Sequence, residues 1–143
     1  MNRVYNNEAI MMLCIVRLLQ DGAMDMAKLL LCMVLAIDDR LNAKVRYAYS
    51  LEHVYAELHK EHLLNRKFVS YCPYYINALI MLRQLNCLGI AGDMLYVTNN
   101  ILGDGMGTHS RRMARIICAS DNVRKLFGAI STSDMYNKLA IQL

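Results

Sequence analysis

Residues 29–37 are apolar at every position, and charge closes them on both sides: Asp25 and Lys28 before, Asp38, Asp39 and Arg40 after. The run is far shorter than the roughly 20 residues that cross a bilayer. A helix apolar on all sides must be surrounded by protein, so this segment sets the centre of a core. The stretch from Ala9 to Leu19 is nearly as apolar and ends at Gln20-Asp21-Gly22. Asn6 or Asn7 is placed to cap it, with Glu8 in the first turn, and Asp25 caps the second helix. Two such helices in succession predict a packed central hairpin.

A chain of 143 residues suits one domain, 1–143, and can bury roughly 70% of its unfolded surface without a disulfide or metal staple. With 56% apolar and 20% charged residues and one proline, disordered and low-complexity classes are excluded. The apolar surplus predicts that part of the surface lies against another chain, and the eleven methionines suit either an adaptable interface or a Met-rich core. Five cysteines, an odd set without a CxxC pair, read as buried free thiols in a reducing compartment. No signal peptide or membrane span is expected, and a cytoplasmic location follows. The formal charge of +4 is uneven: residues 1–62 hold seven Lys/Arg and eight Asp/Glu, residues 63–143 nine and four. The basic half is where an acidic partner or nucleic acid is expected.

Further along, residues 38–49 are polar with scattered apolar positions and leave their conformation open. Ser50 starts an amphipathic helix carrying Leu51, Val54, Tyr55 and Leu58. Pro73 is expected to break the chain or sit in the first turn of a helix over 74–88, with Gly89 as its stop. A short hairpin follows, turning at Ala91-Gly92-Asp93, then a Gly/Asn/Asp-rich loop over 99–107. Thr108 or Ser110 caps a last long helix to about Phe127. Its apolar face holds Met113, Ile116, Ile117, Val123 and Phe127, with Arg111, Arg115 and Lys125 opposite. Leu139, Ile141 and Leu143 alternate as a small terminal strand would. The fold class is therefore mainly α (α+β): one helical domain with a winged-helix-like β-hairpin and a short C-terminal strand.

No constellation assembles catalysis. His59 and His62 stand three apart near Glu57 and Glu61, without the spacing of a zinc protease or a third ligand. The glycines at 103, 105 and 107 lead into Arg111 and Arg112, which suits a phosphate contact, but neither phosphate-loop fingerprint is present. Each cysteine lies in apolar sequence that opposes thiolate formation, and Ser110 beside His109 is adjacency rather than a catalytic pair. No cofactor and no enzymatic activity are expected. The basic face of Arg111, Arg112, Arg115 and Lys125 reads as a solvated surface or as a contact for DNA or an acidic protein.

Three stretches together resemble the middle components of bacterial ABC-three-component systems, the family that includes the small C subunit of Lamassu anti-phage defence. The first is Tyr5-Asn6-Asn7-Glu8-Ala9-Ile10. The second is Asn65-Arg66-Lys67-Phe68 followed by Pro73-Tyr74-Tyr75-Ile76-Asn77-Ala78-Leu79. The third runs from Ser110-Arg111-Arg112 to Ala119-Ser120 and is followed by Met135-Tyr136-Asn137-Lys138-Leu139-Ala140-Ile141. The resemblance implies a non-catalytic adaptor in a hetero-oligomer with an SMC-like ABC ATPase and an effector such as a nuclease. DNA is then met through the complex, and Asn65, Arg66, Lys67, Tyr74, Tyr75 and Asn77 fall in a partner interface. The alternative is a free-standing winged-helix DNA-binding regulator. Against it, the segment 74–88 before the hairpin is largely apolar, with Asn77, Arg83, Gln84 and Asn86 as its polar groups, where base reading wants polar reach.

Overall fold

The computed structural model describes residues 2–98 and 110–142, and of residues 2–7 the backbone alone. The glycine loop over 99–107, Thr108, His109, Leu143 and the side chains of Tyr5, Asn6 and Asn7 lie outside the described residues. In chain order the elements are α1 (Asn2–Leu19), β1 (Met24–Asp25), α2 (Met26–Ile37), α3 (Asp39–Val45), α4 (Leu51–Leu58), α5 (Leu64–Gln84), β2 (Leu88–Ala91), β3 (Met94–Val97), α6 (Arg111–Phe127) and α7 (Thr132–Leu139). The fold is mainly helical with a small antiparallel sheet, as the patterning predicts.

Helix α2 is the axis of the molecule. Every residue from Leu29 to Ile37 is buried, with α1, α3, α5 and α6 packed around it. Its ends are set by two aspartates. Asp25 Oδ1 accepts the Lys28 N–H at 2.9 Å as the N-cap. Asp38 leaves the helical conformation (φ −64°, ψ 123°), ends α2, and caps α3 by accepting the Arg40 and Leu41 N–H groups at 3.1 Å. Helix α1 begins at Asn2, so Asn6 and Asn7 sit inside it rather than at a cap. It buries Met11, Cys14, Ile15 and Leu18, and Arg17 grips Asp121 of α6 through two hydrogen bonds of 2.9 and 2.8 Å.

The hairpin forms as its pattern suggests, and β3 also pairs with the two-residue β1, giving the order β1-β3-β2. Helices α2 and α5 stand between β1 and β2, which is the arrangement of a winged-helix unit with α3 and α4 added. Gly89 lies opposite Tyr96, and a Cβ at position 89 would come within 2.2 Å of that ring. The glycine is there because the aromatic ring covers it across the strands.

Two expectations about helix ends and breaks need correction. Pro73 neither breaks the chain nor opens a helix: it lies inside α5, which runs through it from Leu64 to Gln84. Phe68 on one side of it and Tyr75, Ala78, Leu79 and Leu82 on the other are buried, and this anchoring outweighs the lost N–H. Pro73 itself is exposed. Helix α5 also stops before Gly89. Asn86 adopts φ 60°, its N–H donates to Arg83 O, and the Cys87 N–H returns to Leu82 O at 2.9 Å, a Schellman turn built on asparagine.

The expected C-terminal strand is absent among the described residues. Residues 132–139 form α7, and the next residues close it with a second Schellman turn. Ala140 takes φ 54°, and the Ile141 N–H donates to Tyr136 O at 3.1 Å. Leu139 and Ile141 are both buried because that turn folds the chain back on the helix, not because a strand alternates. The Gln142 N–H then donates to Asn65 Oδ1 at 2.6 Å and ties the chain end to α5.

Candidate functional site

The residues expected to meet partners divide between two surfaces, one on α5 and one on α6. On α5 the buried arc holds Phe68, Tyr75, Ala78, Leu79 and Leu82. The opposite side is also apolar. Val69, Pro73, Ile76 and Ile80 follow at steps of four, three and four residues, which places them on one ridge of a helix. Val69, Ile76 and Ile80 are 47%, 42% and 50% exposed, more than side chains of this kind retain when packed. Tyr74, Met81 and Leu85 make a second exposed apolar row beside the buried arc. On the hairpin, Met94 and Tyr96 are exposed on one face and Ile90 on the other. Arg66, Asn77, Arg83 and Gln84 border the first ridge and are exposed. No carboxylate occurs anywhere from residue 62 to residue 92.

Of the six residues placed in a partner interface, Asn65, Arg66, Tyr74 and Asn77 are on the surface. Tyr75 is not: it is 2% exposed, and its hydroxyl donates to Met26 O at 2.8 Å, so it belongs to the core. Burial holds its phenol well above the usual range. Lys67 is half-buried and committed to Asp38, with Nζ 3.1 and 3.3 Å from the two carboxylate oxygens. Tyr71, one turn on, donates its hydroxyl to the same carboxylate at 3.2 Å. Burial first, and then the Asp38 charge, raises the Tyr71 pKa. These groups position α5 against the α2–α3 junction; they do not face a partner.

Helix α6 starts where Ser110 Oγ accepts the Met113 N–H at 2.9 Å, and buries Met113, Ile116, Val123 and Phe127. Ile117 is half-buried. Arg111, Arg115 and Lys125 are exposed, as the helical wheel requires, but they do not form one continuous face. The segment between α3 and α4 lies across its middle. Asn122 Nδ2 donates to Val45 O at 2.7 Å and Ala48 O at 2.9 Å, and Cys118 Sγ to Arg46 O at 3.8 Å. Buried Asn42 adds Nδ2 bonds to Ala36 O at 2.6 Å and Arg115 O at 3.2 Å. Lys125 is left at the far end, in an open cavity with Asp21, Lys28, Asp121 and Arg124. Arg112 is half-buried, unlike its exposed neighbour Arg111, and its charge acts on the Tyr71 phenol.

That crossing segment carries groups the sequence reading passes over: Arg46, Tyr47 and Tyr49. Their signal is the short alternation Arg46-Tyr47-Ala48-Tyr49, in which the small residue is buried and both tyrosines are out. Elsewhere, His59 Nε2 lies 2.7 Å from Lys138 O, and among the described residues no three His, Cys, Asp or Glu side chains converge as a metal would need. Cys14 and Cys32 are fully buried, and burial pushes both thiols up to about 12. No helix among the described residues is long and apolar enough to cross a membrane.

No protein-family model, curated protein or solved structure matches this chain.

Proposed function

We propose that the protein is a non-catalytic adaptor subunit, docking through α5 onto a larger partner. The observation that carries the reading is the exposed ridge of Val69, Pro73, Ile76 and Ile80 on the longest helix of the fold. Covering its three aliphatic side chains contributes on the order of 1 kcal/mol each, since each is about half exposed. Self-association does not suit the ridge. Antiparallel pairing of two copies centred on it sets Arg66 against Arg83, parallel pairing sets each arginine against itself, and no carboxylate on α5 relieves either. A different chain with an acidic rim does suit it.

Together with the family resemblance, this supports an SMC-like ABC ATPase and an effector such as a nuclease as the partners, in a cytoplasmic anti-phage complex. The adaptor then couples DNA sensing by the ATPase to the effector, holds no cofactor, and supplies no catalytic group of its own. The strand order favours a second reading, a winged-helix DNA-binding regulator. In that reading α5 is the recognition helix, and it presents Val69, Ile76 and Ile80 where base edges call for Arg, Asn or Gln. The test is a protection assay in the native host. Removing the gene should abolish resistance to phage, the wild-type gene should restore it, and Ile76→Asp with Ile80→Asp should not. Full protection by that double variant at normal protein level overturns the reading.

A further inference from the structure

We propose that Tyr47 and Tyr49, together with Arg46, Arg111 and Arg115, form a stacking site for single-stranded nucleic acid. Tyr47 and Tyr49 are 77% and 82% exposed, the most exposed of the large apolar side chains described. Each ring has one contact within the chain. The Arg46 guanidinium carbon lies 5.1 Å from the centre of the Tyr47 ring, and His53 stacks on Tyr49 at 4.8 Å and 27°. Each ring thus has a cation or an imidazole against it and most of its surface in water. Their backbone is fixed, because the carbonyls of Val45, Arg46 and Ala48 are all bonded to side chains of α6. Aromatic rings carried on a fixed backbone lose less conformational entropy when a flat ligand stacks on them.

The surrounding charge selects the ligand. Arg17, Arg40, Lys44, Lys60, Lys67 and Arg124 are all ion-paired within the chain. Arg46, Arg111 and Arg115 pair with no carboxylate among the described residues. Arg111 and Arg115 share the α6 ridge of Cys118 and Asn122, on which the tyrosine segment lies, at steps of four, three and four. At 1.5 Å per residue, Arg115 stands about 10 Å and Arg111 about 16 Å along the axis from Asn122, which binds the Ala48 carbonyl between the two tyrosines. Glu52 is the one carboxylate between residues 42 and 56. Exposed rings with one guanidinium against them and two more along the same ridge, none meeting a described carboxylate, match the way single strands are held: bases on aromatic faces, backbone along cations. A protein partner is favoured less, since Tyr47 and Tyr49 are separated by buried Ala48 and their ring contacts are a guanidinium and an imidazole rather than aliphatic side chains.

This site does not depend on the adaptor reading, and its test needs no partner. Fluorescence anisotropy of the full-length chain is followed with labelled 12-nucleotide single strands of one mixed sequence, as DNA and as RNA, and with the DNA duplex. Single strands should bind at least tenfold tighter than duplex, and the two single strands reveal which sugar is preferred. Tyr47→Ala with Tyr49→Ala should weaken binding tenfold or more, whereas Tyr47→Phe with Tyr49→Phe, which keeps both rings, should stay within about threefold. Arg111→Ala with Arg115→Ala should weaken binding and flatten its salt dependence. Circular dichroism should be unchanged in all three variants, given the exposure of these side chains. No binding by the wild type, equal affinity for duplex, or alanine variants that bind as the wild type does would each overturn the proposal. So would the recovery of a protein partner that the tyrosine-to-alanine variant loses while its nucleic-acid affinity stands unchanged.

Discussion

Replacing Asp38 separates three contributions that meet in one carboxylate. It caps α3 by accepting two N–H groups, accepts the Tyr71 hydroxyl, and pairs with Lys67, with its side chain 13% exposed. Losing an aspartate N-cap costs about 1 kcal/mol. The tyrosine hydrogen bond adds about 1 kcal/mol. The half-buried lysine pair, discounted for screening, adds roughly 0.5 kcal/mol. Asp38→Ala should therefore destabilise the fold by about 2–3 kcal/mol. Asp38→Asn keeps the capping oxygen and a polar partner for Tyr71, so its cost should stay below about 1 kcal/mol. Urea denaturation followed by far-UV circular dichroism measures both, and the alanine variant should melt roughly 6–10 °C below the wild type. If asparagine costs as much as alanine, the pairing with Lys67 dominates and the capping argument is wrong. If neither costs more than about 0.5 kcal/mol, Asp38 does not join α5 to the α2–α3 junction.

Pro73→Ala should stabilise the protein by about 1–3 kcal/mol, because the ring is exposed and the change restores an N–H donor in mid-helix; chemical denaturation checks it. Ala140→Gly should add about 0.5–1 kcal/mol in the same assay, since Ala140 is held at φ 54°, where a Cβ is strained. Cys14 and Cys32, raised by burial from 9.0 to about 12, should resist a thiol reagent in the native protein at pH 8 and react on unfolding. Because the unfolded thiols release protons first, their contribution to stability is complete below about pH 9 and falls as the pH rises toward 12. Denaturation midpoints measured across that interval should decline, and Cys14→Ala should lessen the decline.

The parts of the fold that local chemistry dictates are legible in the sequence. Asp25 and Ser50 cap the helices they are expected to cap, Ser110 is the one of the two candidates, Thr108 and Ser110, that caps α6, and the hairpin turns where Gly92 and Asp93 permit it. What is not legible depends on distant contacts. Helix α5 passes through Pro73 because residues on both sides of it are anchored in the core, which no window of sequence reveals. Strand β1 is two residues long and exists only because β3 is beside it. The alternation of Leu139 and Ile141 imitates a strand but comes from a left-handed residue between them. For the surfaces, helical spacing finds Arg111, Arg115 and Lys125 but not the segment laid across them, and it cannot tell exposed Tyr74 from buried Tyr75.

The central claim is that α5 docks on a different, larger chain. The most direct measurement is purification of the tagged protein from its native host at native level, with its companions identified and quantified by mass spectrometry. The account predicts that an SMC-like ABC ATPase is recovered in fixed ratio with the wild type and is lost with Ile76→Asp and Ile80→Asp, while the variant keeps its wild-type melting temperature. Recovery of the ATPase in equal amount with that variant, or a wild-type protein recovered without any ATPase, would contradict it.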